Sequence, residues 1–325
     1  MSPTAALHDP VFREYLGLVG AIIIVAGVVL ALLQFGFQIE LGSVWKTWQS
    51  WVWMAPLAAL FVFAGRIAFI AGVTALALIG FREFARGAGL GRDRWTCWAV
   101  RLGIFAVGVA VWAEQPPWSA AVFALILMAL GPIVRDRKNV VSPSRSQTFA
   151  GAMPSHSGES ELQALSLGVV GFVYLGWMFG ELGILANSPN AYGYICFVLF
   201  ATEACDVAAF AVGRIGGRHL LRPAISPRKT WEGSVGAFLL ALALPWLLRF
   251  SFPHFGSVQL VLAGLIIGLG GQVGDLFSSL LKRELGLKDW GSAIPGHGGV
   301  LDRIDSLIFV APLFILLANQ YDPLK

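Results

Sequence analysis

Charge is what this chain has least of. Only 13% of its 325 residues are Asp, Glu, Lys or Arg, against 57% that are hydrophobic. Soluble globular domains carry about 25% charged residues, so a solvated surface over the whole fold is excluded. Cysteine is also scarce: Cys97, Cys196 and Cys205 all lie in or beside apolar runs and form no CxxC pair. That rules out a disulfide framework or a thiolate metal site and leaves them as small buried residues. The G-x-x-x-x-G-K pattern of a phosphate-binding P-loop is missing. The first apolar run follows Arg13 and Glu14 and has no small-residue cleavage site, so it reads as a retained span rather than a signal peptide.

What is present is apolar length. A bilayer core of ~30 Å needs about 20 apolar residues in a helix. Runs of that kind cover Tyr15–Gln34, Trp51–Phe81, Cys97–Ala113, Trp118–Val134, Leu165–Ala186, Tyr192–Val212, Gly233–Leu248, Val258–Leu281 and Ile304–Asn319. The expectation is an all-α, polytopic transmembrane helical bundle of about nine spans. The second run contains Pro56 and Arg66 and is too long for one simple crossing. Twelve Trp and 23 Phe fit a membrane protein, since indole rings favour the interface.

The basic residues orient the bundle. With the N-terminus cytoplasmic and nine crossings, 18 Lys and Arg fall on the cytoplasmic side. Only Lys46, Arg249 and Lys325 fall opposite, with Arg66 and Arg101 inside spans. This is a positive-inside bias. The Ser-, Pro- and Arg-rich stretch 135–161 reads as a flexible cytoplasmic loop. It divides an N-terminal transmembrane region, 1–161, from a C-terminal one, 162–325, that carries the chemistry.

Asp275 stands in a run of about two dozen nearly apolar residues, and an ionisable group there is costly and points to function. On a helix Asp275, Ser279 and Lys282 fall at i, i+4 and i+7, on one stripe. Carboxylate, hydroxyl and ammonium on one stripe suit a phosphate with Mg²⁺; an Asp–Lys pair inside the bundle is the alternative. Asp302 and Asp305, at i, i+3 where the last run begins, can hold a hard cation or complement a helix dipole. Immediately before that run Gly296-His297-Gly298-Gly299 is a turn whose N–H groups could cradle phosphate. Ser226-Pro227-Arg228-Lys229-Thr230-Trp231-Glu232-Gly233 has the cations and hydroxyls of an anion grip, or of an ordinary basic flank. Glu203 and Asp206 are two intramembrane acids on one face. Asp206 is the substrate or metal candidate, and Glu203 the structural one, as a partner to Arg66 or Arg101.

The stretch from Ser279 to Asp305, S-L-L-K-R-E-L-G-L-K-D-W-G-S-A-I-P-G-H-G-G-V-L-D-R-I-D, resembles without a break the signature of the phosphatidate cytidylyltransferases (CDP-diacylglycerol synthases). S-P-R-K-T-W-E-G resembles that family's second block. With Asp206 the resemblance spans roughly residues 165–320; the N-terminal half matches only as a stack of spans. The resemblance implies that CTP and phosphatidate give CDP-diacylglycerol and pyrophosphate with Mg²⁺, the count of ions being open. It implies catalytic roles for Asp275, Lys282, Asp302 and Arg303, with Asp275, Asp302 and Asp305 as metal ligands. Substrate contacts would come from Asp206, Ser226, Arg228, Lys229, Thr230, Ser279, Arg283, Lys288, Asp289 and His297. Other partners would be membrane lipids and no nucleic acid, with a homodimer left open. The place would be a bacterial inner membrane with the site facing the cytoplasm. Two positions depart from the family pattern. Ser278 stands where Glu is usual, and Cys205 where a polar residue precedes the Asp of the sixth run. A cytidylyltransferase or CTP-dependent kinase for another lipid, or a transporter of phosphorylated metabolites, are the competing classes.

Overall fold

The structure is a computed structural model, and it describes residues 1–38, 42–134, 161–294 and 298–322. The elements in chain order are α1 (Pro3–His8), α2 (Pro10–Ala31), α3 (Gly42–Phe63), α4 (Arg66–Gly87), α5 (Arg94–Trp112), α6 (Pro117–Val134), α7 (Glu161–Gly171) and α8 (Ala191–Gly216). There follow a hairpin of β1 (Leu220–Arg222) and β2 (Ser226–Thr230), then α9 (Trp231–Leu247), α10 (Ser257–Leu265), α11 (Gly271–Glu284) and α12 (Leu301–Ala318). The loop expected over 135–161 lies outside the described residues except for its last one, Glu161, which opens α7.

The architecture is helical and polytopic, but the expected count of nine spans is corrected. Among the described residues, six helices are long and apolar enough to cross a membrane: Pro10–Gly36, Arg66–Gly87, Arg94–Trp112, Glu161–Asn187, Ala191–Gly216 and Ser257–Glu284. The long run Trp51–Phe81 breaks at Gly65, whose φ of 97° no helix contains, and of its two parts α4 alone qualifies. The apolar parts of α6 and α9, Pro117–Gly131 and Trp231–Leu247, are too short. The last run sits on α12, an 18-residue helix that opens on Asp302, Arg303 and Asp305, so it carries too much charge for its length. Hydropathy counted apolar residues but not where the backbone stops or where charge enters. The topology argued from nine alternations loses its count with them.

Side-chain contacts nonetheless define two ends of the bundle. At one end Arg66, opening α4, pairs with Glu114 (3.0 Å) and donates to Asn187 and to the carbonyl of Trp112, which closes α5. At the other end the last turn of α4 meets the loop before α12, beside the hairpin. The core is aromatic toward the Arg66 end: Phe197, Phe252, Phe255 and Phe314 are fully buried around Tyr194, with the Phe252 and Phe255 rings stacked at 4.7 Å. Outward faces such as that of α2 expose Ile24, Val25 and Val28, as a lipid-facing surface does.

Two local features place α11. A π-helical turn, Ile266–Gly270, joins α10 to α11 without ending the helix, a device that often re-aims a helix at a functional site. Gly274 then lets α11 lie against α12. A Cβ there would stand 2.5 Å from the carbonyl oxygen of Asp305, so only glycine admits this approach and brings Asp275 beside Asp305.

Candidate active site

The stripe anticipated on α11 forms. Ser279 donates to Oδ1 of Asp275 at 3.4 Å, and Ser278, Ser279 and Lys282 are buried. The ion pairs distribute differently from a simple Asp275–Lys282 couple. Lys229, on β2, reaches Asp275 with Nζ 2.5 Å from Oδ2. Lys282 instead reaches Asp302, 2.7 Å from Oδ1. The hairpin, α11 and the start of α12 are thus tied by two salt bridges.

Asp302 organises the loop between α11 and α12. Its Oδ2 accepts the backbone N–H groups of Trp290 and Gly299, both at 2.9 Å. The indole of Trp290 is buried and donates to Oγ of Ser278 at 3.0 Å. The site of the family's usual Glu is therefore a fully buried hydroxyl that anchors this loop. Asp305 is buried, accepts from the N–H of Ser306 at 2.8 Å, and lies within electrostatic reach of Asp275, Lys282 and Asp206. Asp206, on α8, accepts from Ser306 Oγ at 3.2 Å and faces Asp275, Lys229 and Glu203. The neighbour of Glu203 is Arg303, not Arg66 or Arg101. The hydroxyl of Tyr174 is buried within reach of Asp305 and Ser278.

The other sequence candidates fall into three groups. Thr230 uses its hydroxyl to cap α9, accepting from Gly233 N–H at 3.2 Å, as an N-cap threonine does. Arg283 donates to the carbonyls of Ile225 and Leu287 and so fastens the hairpin to the loop. Ser226 is half-buried on β2, while Arg228, Lys288 and Asp289 are exposed around the cluster. His297 lies outside the described residues. The turn that follows it does not offer a free nest. Gly298 has a φ of 84° as expected of such a turn, but the N–H of Gly299 is taken by Asp302, and those of Val300 and Leu301 by Glu83. At the foot of the hairpin His219 Nδ1 lies 2.7 Å from Oε1 of Glu232. The Glu232 carboxyl is pulled down to about 2, first by its own backbone N–H and then by His219.

Sequence reasoning missed Glu83, Tyr174 and Trp290. Glu83 is an acid set between Arg82 and Arg86 at the end of a span, where the arginines alone drew notice. Among the described residues no three His, Cys, Asp or Glu side chains converge to hold a metal ion.

The model of the cytidylyltransferase family matches residues 45–321, the greater part of the chain. A phosphatidate cytidylyltransferase of Staphylococcus haemolyticus is 37% identical over 158 residues, covering 48% of this chain and 59% of that protein. Its counterpart in Staphylococcus aureus (strain COL) is 38% identical over 159 residues with the same coverage. The Escherichia coli (strain K12) protein YnbB is 36% identical over 158 residues, 46% of this chain and 53% of that one. The chain thus spans between half and two thirds of the length of these curated relatives. By the extent of the family match, the chain belongs to the cytidylyltransferase family.

Proposed function

We propose that the chain is a phosphatidate cytidylyltransferase, converting CTP and phosphatidate into CDP-diacylglycerol and pyrophosphate. The observation that carries the reading is the pair of salt bridges, Lys229–Asp275 and Lys282–Asp302, which gather the two family blocks around one carboxylate cluster. Two relatives that match about half of the chain bear that activity in their names.

In this reaction an oxygen of the lipid phosphate attacks the α-phosphorus of CTP. The new P–O bond forms as the bond to the β-phosphate breaks, and pyrophosphate leaves with its electron pair. No Ser, Cys or His nucleophile is needed; the work is alignment of two polyanions and charge neutralisation. Lys229 and Lys282 sit where they can exchange their carboxylate partners for phosphate oxygens. Arg228, Lys288 and Arg303 add positive charge around them, and Ser226 and Ser279 supply hydroxyl donors. Thr230 and Arg283 hold the hairpin to its neighbours, and Asp289 and His297 are carried over from the family signature as substrate contacts.

The all-oxygen donor set fits Mg²⁺. That ion typically takes one or two protein carboxylates and completes its shell with substrate phosphates and water, so a closed three-residue cage is not required. Asp275 and Asp305 have lone pairs to spare. Asp302 retains one on Oδ1, beside Lys282. When bound, the ion would neutralise charge on the phosphates. Asp206 is exposed on α8 next to exposed Val207 and Phe210, which gives the lipid headgroup a sideways approach from the bilayer. The reading places this face toward the cytoplasm of a bacterial cell.

The test is Mg²⁺- and CTP-dependent pyrophosphate release by the purified full chain in phosphatidate vesicles, with the lipid product identified by mass. CDP-diacylglycerol is the expected product. A phosphorylated lipid, or turnover only with a different lipid phosphate, would replace this assignment.

A further inference from the structure

We infer that Glu83, from the N-terminal half of the chain, is a positioning residue for the transfer site, holding the first turn of α12 and with it Asp302. The inference rests on the activity proposed above. Glu83 is buried at 5% exposure. Its Oε1 accepts the N–H of Val300 at 3.1 Å and its Oε2 that of Leu301 at 2.8 Å. These are orphan donors at a helix start, where a carboxylate is favoured by both hydrogen bonding and the dipole. Asp302 takes the next N–H back, that of Gly299. Two carboxylates, one from each half of the chain, thus hold three consecutive amides of one turn.

The loop is shaped to receive this carboxylate. A Cβ on Gly291 would lie 2.7 Å from Oε1 of Glu83, and one on Gly299 2.5 Å from Oε2. Both glycines fall inside the Ser279–Asp305 signature, and both are needed for Glu83 to approach. The neighbouring turn of α4 completes the bed: the Phe84 and Trp290 rings lie 5.4 Å apart, and a Cβ on Gly87 would meet Leu287 at 2.5 Å. Among the described residues, the hydrogen bonds of Glu83 go to the backbone amides of Val300 and Leu301 and to none of the side chains proposed to bind substrate. Its effect runs through the backbone to Asp302, which in turn fixes Lys282. In a reaction that depends on alignment, a displacement of about 1 Å at that carboxylate is worth about 100-fold in rate.

The experiment uses the purified full chain and three variants: Glu83→Gln, which keeps the shape but turns an N–H donor toward one amide; Gly291→Ala, which pushes the carboxylate away; and the two combined. Deuterium uptake is followed in the peptide covering 285–304, together with kcat and the KM for phosphatidate. Faster exchange at 299–301, a fall in kcat of about 10- to 100-fold and an unchanged KM are expected for each single variant. The double variant should be no worse than either, because both act on one contact. Wild-type exchange and kcat in Glu83→Gln, or losses that add in the double variant, would overturn the inference. If the wild-type chain makes no CDP-lipid, the proposed activity fails while the exchange measurement still decides whether Glu83 holds the turn. Glu83→Asp keeps the charge on a shorter arm and should fall between wild type and Gln; it carries the test if Gln does not fold.

Discussion

Lys229 reaches across from the hairpin to Asp275 in α11, closing to 2.5 Å with both side chains partly open, 22% and 30% exposed. A pair this wet contributes about 0–1 kcal/mol to stability, so its geometry is better explained by what it is poised to bind. Asp275→Asn and Lys229→Met should each leave the melting temperature nearly unchanged and lower CDP-lipid formation by about 100-fold. Lys229→Arg should not rescue, since a planar guanidinium does not replace a compact ammonium. Near-normal turnover in Asp275→Asn would remove that residue from the mechanism.

The second pair behaves differently because it is dry. Lys282 and Asp302 are 11% and 7% exposed, and removing one partner from a buried pair costs about 3–5 kcal/mol. Asp302→Asn should therefore abolish turnover and also lower the melting temperature well below that of Asp275→Asn, while membrane insertion persists. Lys282→Met combined with Asp302→Leu should regain none of the activity and little of the stability, because Leu also leaves the N–H groups of Trp290 and Gly299 without their acceptor. Thermal scans of the three variants side by side decide this; equal stability of Asp302→Asn and Asp275→Asn counts against it.

Ser278 fills the position where the family pattern has Glu, and it spends its hydroxyl on the indole of Trp290. Ser278→Ala leaves a buried N–H donor unpaired, at a cost of about 1–3 kcal/mol. Ser278→Glu restores the family residue in a fully buried position already packed against Trp290. The expected outcome is a destabilised protein in both cases and no gain in activity from Glu. A Ser278→Glu variant more active than wild type would show that the site lacks a carboxylate it needs.

The stripe Asp275, Ser279, Lys282 was legible because a helix in an apolar run has one period, and three polar residues on it define a face. Which carboxylate each lysine would choose was not legible. Lys282 at i+7 from Asp275 looks like its partner, but the chain folds Asp302 back onto it, and Lys229 arrives from a hairpin 46 positions earlier. Glu203 was assigned to Arg66 or Arg101 for want of a nearer cation, whereas Arg303 comes beside it only once α12 packs on α8. Glu83 was hidden by its own arginine neighbours. The hairpin was read as an anion grip or a basic flank, with no strand in it, because five residues of strand carry too little pattern to announce pairing.

At the opposite end of the bundle, His254 in the loop before α10 lies 2.8 Å from the hydroxyl of Tyr194. Burial pushes its imidazole below the ordinary value, against the pull of Asp322. A depressed folded value means the unfolded chain takes up the proton first. The stabilisation is present above about pH 6.5 and is lost as pH falls through the folded value. Asp322 is also held low, by Ser188, Asn190 and Tyr194 against burial, so its contribution changes only in more acidic solution. The part of the pH dependence that His254 contributes is therefore a loss of stability between pH 7.5 and 5.5, and His254→Phe should remove it, so that the variant loses less stability than the wild type over that interval. An identical slope in the variant would assign the effect elsewhere.

Ion binding provides the remaining test. With no three acidic, His or Cys side chains converged among the described residues, and with Lys229 and Lys282 already on Asp275 and Asp302, the protein alone offers few free oxygens. The nucleotide must supply the rest of the shell, so ion and CTP should each raise the other's affinity by the same factor. Mn²⁺ titrated into the chain should bind weakly alone and about tenfold or more tightly with CTP present. Chelation should abolish turnover, and added Mg²⁺ should restore it. In Asp275→Asn the nucleotide-dependent gain should shrink, because a shared ligand is gone. Mn²⁺ binding equally tight with and without CTP would mean that the ion has its own protein cage, and the assignment of Asp275, Asp302 and Asp305 as an open, substrate-completed site would have to be withdrawn.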